Sequence, residues 1–202
     1  LTYYRSQRRG WRVKQAAAIK EDDFVDHLFV ANTHDYILCF SNRGRVYWIK
    51  VYEVPQGSRN SRGKPIVNMF PLEEGEKINA ILPVKEFAQD RYIFMATSQG
   101  TVKKTPLSEF SNPRKAGIIA VAQDEDDYLI GAEITNGEND IVLVSDIGRA
   151  VWFDEEDVRP MGRPARGVRG MKLGKGQQVL SLLVADNDQQ TVLVATENGF
   201  GK

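Results

Sequence analysis

The sequence repeats itself with a period of about fifty residues, and no other feature constrains its fold so strongly. Each unit has an apolar run, a polar turn that ends in Gly and, in most units, a second apolar run. The four units are YILCFSNRGRVYWIKV (36–51), YIFMATSQGTVKKTPL (92–107), IVLVSDIGRAVWF (141–153) and TVLVATENGFGK (191–202), with turn glycines Gly44, Gly100, Gly148 and Gly199. Units this small bury their apolar faces only by packing on their neighbours.

A second marker runs in phase with the first. A basic cluster ending in Gly precedes each unit, at Gly10, Gly63, Gly117 and Gly167, and an apolar strand follows it each time, at 25–31, 78–84, 129–135 and 179–185. Short β-branched and aromatic runs without a long helical period predict an all-β fold. About four strands per unit predict a propeller-like array of four-stranded blades, with about four repeats present. A generic β-sandwich is the alternative.

Single residues and short runs add three expectations. IVLV and TVLV are continuous apolar runs, which are typical of strands buried on both faces. Cys39 lies inside an apolar run and is expected to pack as a small hydrophobe. No apolar run approaches the roughly 18 residues of a membrane span, and the basic N-terminal segment lacks the apolar core of a signal peptide, so a cytoplasmic protein is expected.

The charges are balanced in number and separated in sequence. The 202 residues contain 27 basic and 27 acidic side chains, a balance unlike that of an ordinary basic nucleic-acid-binding protein. Acidic residues cluster at 73–76, 124–127 and 154–157, whereas basic residues gather in other segments. If folding collects the basic segments on one side, a positive surface coexists with a neutral total, and the acidic turns face elsewhere.

The basic clusters are predicted to form a track for a long polyanion. Because each cluster precedes its unit, all four are expected at equivalent positions around the array, where they match the repeating phosphates of a DNA duplex. Each Gly is expected to let backbone approach a phosphate oxygen. The predicted DNA-binding residues are Arg8, Arg9, Arg12, Lys14, Arg59, Arg62, Lys64, Arg114, Lys115, Arg163, Arg166 and Arg169, extended by Arg43, Arg45, Lys103, Lys104 and Arg149 at the hairpins. Solvated basic turns are the alternative interpretation.

The residues also resemble a known family. QRRGWRV (7–13), NTHDYILCFSNRGRVY (32–47), FMATSQGTVKKTPLSEF (94–110) and ATENGFGK (195–202) are similar to the C-terminal DNA-wrapping domain of the DNA gyrase A subunit. The resemblance implies a β-pinwheel, a propeller-like disc whose neighbouring blades exchange strands and whose basic rim wraps DNA. Family domains usually have six blades, so residues 1–202 are expected to form one domain with an incomplete last blade, a C-terminally truncated fragment.

The family hallmark is a heptapeptide near the start of the domain. Gln7, Arg8, Arg9, Gly10 and Arg12 match it and are expected to bind DNA, whereas Trp11 and Val13 replace two glycines of the motif. In the related topoisomerase IV the corresponding box is degenerate or missing. A topoisomerase IV C-terminal domain with weak wrapping is therefore an alternative, and a propeller for protein–protein contact is another.

No catalytic constellation is found in the sequence. The two histidines, His27 and His34, and the single cysteine supply neither a metal site nor a nucleophile with its base. We therefore expect no catalysis, no cofactor and no metal in this segment. The expected partners are duplex DNA and, from the resemblance, the gyrase ATPase subunit together with the N-terminal cleavage domains of the same polypeptide, in a nucleoid-associated cytoplasmic complex without membrane contact.

Overall fold

The structure is a computed structural model that describes residues 27–57, 61, 63–186, 190–195, 198 and 200–201. Eleven strands and four 3-10 helices lie within these ranges. The strands are β1 Tyr36–Ser41, β2 Arg45–Lys50, β3 Ile78–Val84, β4 Tyr92–Thr97, β5 Thr101–Pro106, β6 Ile118–Ile119, β7 Leu129–Thr135, β8 Asp140–Ser145, β9 Ala150–Asp154, β10 Val168–Arg169 and β11 Val179–Ala185. The 3-10 helices are Val51–Glu53, Ile66–Asn68, Leu107–Phe110 and Glu155–Asp157. No helix of the described residues is long and apolar enough to cross a membrane.

The strands form three antiparallel sheets, which we call blades A, B and C. Blade A has the strand order β3-β1-β2-β6, blade B has β7-β4-β5-β10, and blade C has β11-β8-β9. Strand β6 follows the blade B hairpin in the chain and yet pairs with β2 of blade A, and β10 follows the blade C hairpin and pairs with β5 of blade B. The predicted exchange of strands between neighbouring blades is thus confirmed, and so is the all-β, propeller-like fold.

Tight turns make the exchange possible. The backbone N–H groups of Gly170 and Met171 both donate to the carbonyl of Gly100, at 2.9 and 3.2 Å. Gly100 has a φ of +81°, and a Cβ there would lie 2.6 Å from the Met171 carbonyl oxygen. Gly44 holds the corresponding pair of hydrogen bonds from Ala120 and Val121. These turn glycines therefore lie where the exchanged segment crosses the hairpin, and any other residue would be strained there.

The blades pack face to face through apolar cores. One cluster joins blades A and B around Leu38, Phe40 and Ile93, and a second joins blades B and C around Phe94, Ile141 and Leu143. The innermost strands β3, β7 and β11 lie side by side, with β7 between the other two. The outermost strands β6 and β10 therefore lie on the opposite side, at the rim.

Several sequence predictions are confirmed and others are wrong. The predicted inner strands 78–84, 129–135 and 179–185 have the observed bounds of β3, β7 and β11, and Cys39 is buried. The predicted strand at 25–31 is absent over its described residues, which start at His27. Of the fourth unit, residues 191–194 form no strand and are exposed, because no sheet in the described chain covers them.

The run IVLV is also less buried than predicted. In β8 buried and half-buried residues alternate, because the blade C face opposite blade B has no neighbouring sheet within the described residues. In β1 and β4, which lie in blades A and B, nearly every residue is buried. Blade A also packs on only one described blade, but the segment 66–72 covers its second face and buries Ile37 and Cys39. Burial on both faces therefore depends on what covers the second face of a sheet and not on the run itself.

Candidate nucleic-acid interface

Two of the predicted basic clusters lie at the rim. Arg114 and Lys115 are exposed in the loop that leads into β6, the outermost strand of blade A. Arg166 is exposed in the loop that leads into β10, the outermost strand of blade B, and Arg169 is exposed within that strand. The two clusters thus occupy the same place in successive blades, as their spacing predicts.

The glycines of these clusters have a structural reason that the sequence did not reveal. Gly117 has a φ of +69°, and a Cβ there would lie 2.6 Å from the Tyr47 ring. Gly167 has a φ of +95°, and a Cβ there would lie 2.5 Å from the Val102 carbonyl oxygen. Both glycines therefore let the exchanged strand lie close against the preceding blade. A Cβ added at Gly63 would meet no atom within 4 Å, so that glycine is under no such constraint.

The hairpin arginines of blade A are paired with an acidic turn. Arg43 Nη1 lies 2.6 Å from Glu73 Oε2, and Arg45 Nη1 lies 2.8 Å from Glu73 Oε1. At the rim, Arg166 Nη1 lies 3.1 Å from Asp124 Oδ1 in an exposed pair. The expectation that the acidic turns face away from the basic segments is therefore wrong for Glu73 and Asp124. Exposed pairs of this kind are weak, so these arginines stay available to a stronger anionic ligand.

Lys103 and Lys104 do not belong to an exposed track, and their predicted role is wrong. Both are buried, at 0% and 4% exposure, because neighbouring blades cover both faces of β5. The Lys103 ammonium donates to the carbonyls of Ala120 at 2.8 Å and Arg163 at 2.5 Å. Burial lowers the pKa of Lys103 to about 8, and the nearby Arg163 guanidinium contributes in the same direction.

Lys104 instead faces blade C. Its ammonium donates to the Glu155 carbonyl at 2.9 Å and lies 3.8 Å from the Glu155 carboxylate. That buried carboxylate accepts hydrogen bonds from Thr135 Oγ1, Gly137 N and Asn139 N. A buried pair with this many partners fixes how blades B and C meet, because removing either charge would leave the other buried and unpaired.

The other predicted residues fall into three groups. Arg149, at the blade C hairpin turn, and Lys64, in the segment before the 3-10 helix Ile66–Asn68, are exposed. Arg163 is half-buried at the rim, with its Nε 3.7 Å from Glu109 Oε2. The remaining predictions lie outside the described residues: Gln7, Arg8, Arg9, Gly10, Arg12, Lys14, Arg59 and Arg62.

Sequence reasoning missed Lys172 and Lys175, which are exposed in the turn before β11. The equivalent turns before β3 and β7 carry Glu74 and Glu125. Aligning the three turns would have revealed this reversal of charge. Within the described residues no group of three or more His, Cys, Asp or Glu side chains is placed to hold a metal ion.

Comparison with known proteins agrees with this geometry. The sequence matches the family described as DNA gyrase C-terminal domain, beta-propeller, over residues 35–85, 91–136 and 139–186, one match for each blade. The chain belongs to this gyrase C-terminal domain family. Its resemblance to the gyrase A C-terminal domain, seen first in the sequence motifs, is thereby confirmed.

Relatives among the DNA gyrase A subunits place this member within the family. It is 56% identical to the DNA gyrase A subunit of Klebsiella oxytoca over 98% of this chain, and 54% identical to that of Escherichia coli (strain K12) over all of it. The chain spans 23% of the length of each of these relatives.

Two solved structures resemble this gyrase C-terminal domain. A C-terminal domain of DNA topoisomerase IV gives a TM-score of 0.84 at 31% identity, covering 93% of this chain and 58% of that one. A DNA gyrase A C-terminal domain gives a TM-score of 0.68 at 30% identity, covering 85% of this chain and 54% of that one.

Proposed function

We propose that this domain binds duplex DNA along its rim without reading its sequence, and wraps it for a gyrase that introduces negative supercoils. The observation that carries this proposal is the repeated place of two basic clusters. Arg114 with Lys115, and Arg166 with Arg169, lie beside the outermost strands of successive blades. A ligand that contacts both clusters must extend along the rim, as the phosphate backbone of a duplex does.

The physical chemistry of the rim favours wrapping over base readout. Long cationic side chains on loops reach phosphates, and phosphate contacts fix the path of DNA without selecting a sequence. Smooth bending of a duplex costs about 1–6 kcal/mol for 20–30 base pairs, so several clusters must act together. An array that repeats its cluster from blade to blade supplies such contacts at regular intervals.

The proposal extends to the assembly. The chain would handle the DNA substrate and contribute no catalysis, cofactor or metal of its own. The gyrase ATPase subunit and the N-terminal cleavage domains of the same polypeptide would supply the chemistry, in a cytoplasmic, nucleoid-associated complex. The family match and the relatives among gyrase A subunits support this assignment.

The first test measures affinity for a duplex of arbitrary sequence as a function of salt. The 202-residue chain should bind with a log–log salt slope of about −0.9 for each phosphate neutralised. A variant carrying Arg114→Ala, Lys115→Ala, Arg166→Ala and Arg169→Ala should bind more weakly and with a shallower slope. The control carries Lys85→Ala and Arg91→Ala, two exposed cations at the end of β3 and before β4, and should bind like the parent. The double variant Arg114→Ala and Lys115→Ala, which removes the same number of charges, should bind more weakly than this control.

The second test separates wrapping from binding. Nicked circles are ligated in the presence of increasing protein, and the linking number of the product is measured. A shift that grows with protein supports chiral wrapping. Binding without a shift would instead favour the second candidate, a weakly wrapping domain like that of topoisomerase IV, which Trp11 and Val13 in the hallmark motif and the structural similarity to that domain support. A flat salt response would contradict both candidates.

A further inference from the structure

Blade A has an open outer edge that blade B lacks. The outermost strand β6 pairs only with the first two residues of β2, Arg45 and Val46. Backbone groups alternate in direction along a strand. Val51 N donates to the Asp35 carbonyl on the β1 side, and this alternation places the N–H and the carbonyl of Trp48 on the outer side. Within the described residues neither group of Trp48 has a partner there.

The equivalent edge of blade B is covered. Lys104 corresponds to Trp48, since each lies four residues after its turn glycine. Pro160 forms a parallel bridge with Lys104, and Met161 N donates to the Lys104 carbonyl at 2.7 Å. The Met161 side chain is 8% exposed and packs in the core between blades B and C. In blade B a short extended stretch of the chain thus acts as an added strand.

The segments that lead into the two outermost strands differ in length. Between the 3-10 helix and the cluster glycine, the segment before β10 spans 158–166, whereas the segment before β6 spans only 111–116. The longer segment bridges to β5 before it turns back into β10. The shorter segment leads directly into β6 and leaves Trp48 uncovered on its outer side.

A groove lies at this open edge of blade A. Its volume is about 720 Å³, within the roughly 300–1,000 Å³ range of ligand pockets. Most of its lining is apolar: Trp48, Ile49, Pro55, Met69, Phe70 and Pro71. Two exposed lysines, Lys64 and Lys115, also line it, against the single carboxylate of Glu53. The lining therefore favours a ligand that has an apolar side chain and acidic neighbours.

We propose that this edge binds a partner protein by strand addition. The occupant is an extended, acidic segment with a large apolar side chain, which runs parallel to β2 and donates a backbone N–H to the Trp48 carbonyl. In strand addition, main-chain hydrogen bonds supply affinity and side-chain pockets supply specificity. The Trp48 indole donates to the Phe110 carbonyl at 2.8 Å, so this wall of the groove is fixed before binding. The inference stands independently of the proposed function.

The probe is a fluorescently labelled peptide of the segment that covers blade B, DEEDVRPMG (154–162). Fluorescence anisotropy with the 202-residue chain should show saturable binding. The same peptide methylated on the backbone nitrogen of its Met cannot donate a hydrogen bond to the Trp48 carbonyl, and it should bind about fivefold more weakly. Absence of binding by the unmodified peptide, or equal binding of the two peptides, would overturn the inference.

Charge-reversal variants of the protein locate the site. Lys64→Glu with Lys115→Glu reverses both lysines of the groove and should lower the affinity for the peptide about tenfold at low salt. The matched control, Lys85→Glu with Arg91→Glu, reverses two exposed cations between β3 and β4 and should bind the peptide as the parent does. Equal binding by both variants would place the peptide elsewhere, such as at the blade B edge from which its sequence comes, and would overturn the inference. Thermal unfolding verifies that both variants are folded.

A change in the apolar part of the peptide separates strand addition from attraction by charge. Replacement of the peptide's Met by Asp adds a negative charge and removes the apolar side chain, and it should lower the affinity about tenfold because the groove is mostly apolar. Unchanged or tighter binding would show that charge alone holds the peptide and would contradict the proposal. Sedimentation velocity of the chain without peptide tests the other occupant. Self-association that Lys64→Glu with Lys115→Glu abolishes would identify a second copy of this chain in place of a partner protein.

Discussion

The hairpin ends of blades A and C share a backbone and differ in charge. In both blades the hairpin turn donates a hydrogen bond to the residue just before the innermost strand, from Asn42 N to the Lys77 carbonyl at 2.8 Å and from Asp146 N to the Gln178 carbonyl at 2.9 Å. The hairpin and the turn before the innermost strand are therefore neighbours in each blade. What differs is which side chains they bring together.

In blade A this arrangement offsets part of the positive charge of the hairpin, and in blade C it does not. Glu73 pairs with both Arg43 and Arg45. In blade C the turn carries Lys175, and Arg149 has no ion pair within the described residues. The comparison teaches that a regular backbone repeat does not make a regular charge repeat. We expect the blades to contribute unequally to DNA binding.

The largest predicted effect comes from removing the unpaired charges of blade C. A variant with Arg149→Ala, Lys172→Ala and Lys175→Ala should lose about tenfold in DNA affinity at low salt, or about 1.4 kcal/mol. The paired counterpart in blade A, Arg43→Ala, should lose much less because Glu73 already offsets its charge. Fluorescence anisotropy with a labelled duplex measures both. An equal loss of DNA affinity per cation removed in the two blades would contradict the unequal contribution of blades A and C.

A smaller predicted effect concerns stability and a residue of blade B, which lies between blades A and C. Tyr47 in blade A donates its hydroxyl to the buried Glu76 carboxylate at 3.0 Å, and the equivalent position in blade B holds the buried Lys103. The folded-state pKa of Lys103, about 8, lies below the ordinary value of 10.5. Between these two pH values the unfolded chain therefore binds more protons than the folded chain. The free energy of unfolding should therefore rise with pH through this window.

The rise attributable to Lys103 is about 1 kcal/mol between pH 7 and pH 9. Urea unfolding at the two pH values measures it, and Lys103→Met, which has no titrating group there, serves as the reference. From pH 7 to pH 9 the free energy of unfolding of the parent should rise by about 1 kcal/mol more than that of the Lys103→Met variant. Parallel pH dependences would contradict the assignment of a lowered pKa to Lys103.

The smallest predicted effect is a gain in DNA affinity. Glu73→Gln removes the carboxylate that pairs with Arg43 and Arg45, and it should raise DNA affinity about two- to threefold because surface pairs are weak. It should also steepen the salt slope slightly, since Arg43 and Arg45 lose the carboxylate that competes with phosphate for them. Glu86→Gln, an exposed glutamate after β3, is the control. Unchanged affinity in both variants would show that the blade A hairpin does not face the DNA.

The sequence predicted the blade framework well because the strands carry their own signals. The inner strands are apolar runs bounded by turns, and three of the four were found with their observed bounds, Ile78–Val84 among them. The exchange of strands was available only through the family resemblance, since β6 and β10 are two residues long and have no periodicity to detect.

The candidate site was less predictable because charge alone does not reveal exposure. Lys103 and Lys104 look like a basic run, but both are buried because blades lie on either side of β5. The pairing of Arg43 with Glu73 joins residues thirty positions apart, and only the folded loops bring them together.

The exchange of strands also has a consequence for synthesis on the ribosome. Blade A has three of its strands once Val84 has emerged, but its outermost strand starts at Ile118, after the blade B hairpin. At about 5–20 residues per second this leaves an unpaired edge for a few seconds. Blades A and B are therefore each completed by the segment that follows the next hairpin, and until that segment is translated each of them exposes one open edge.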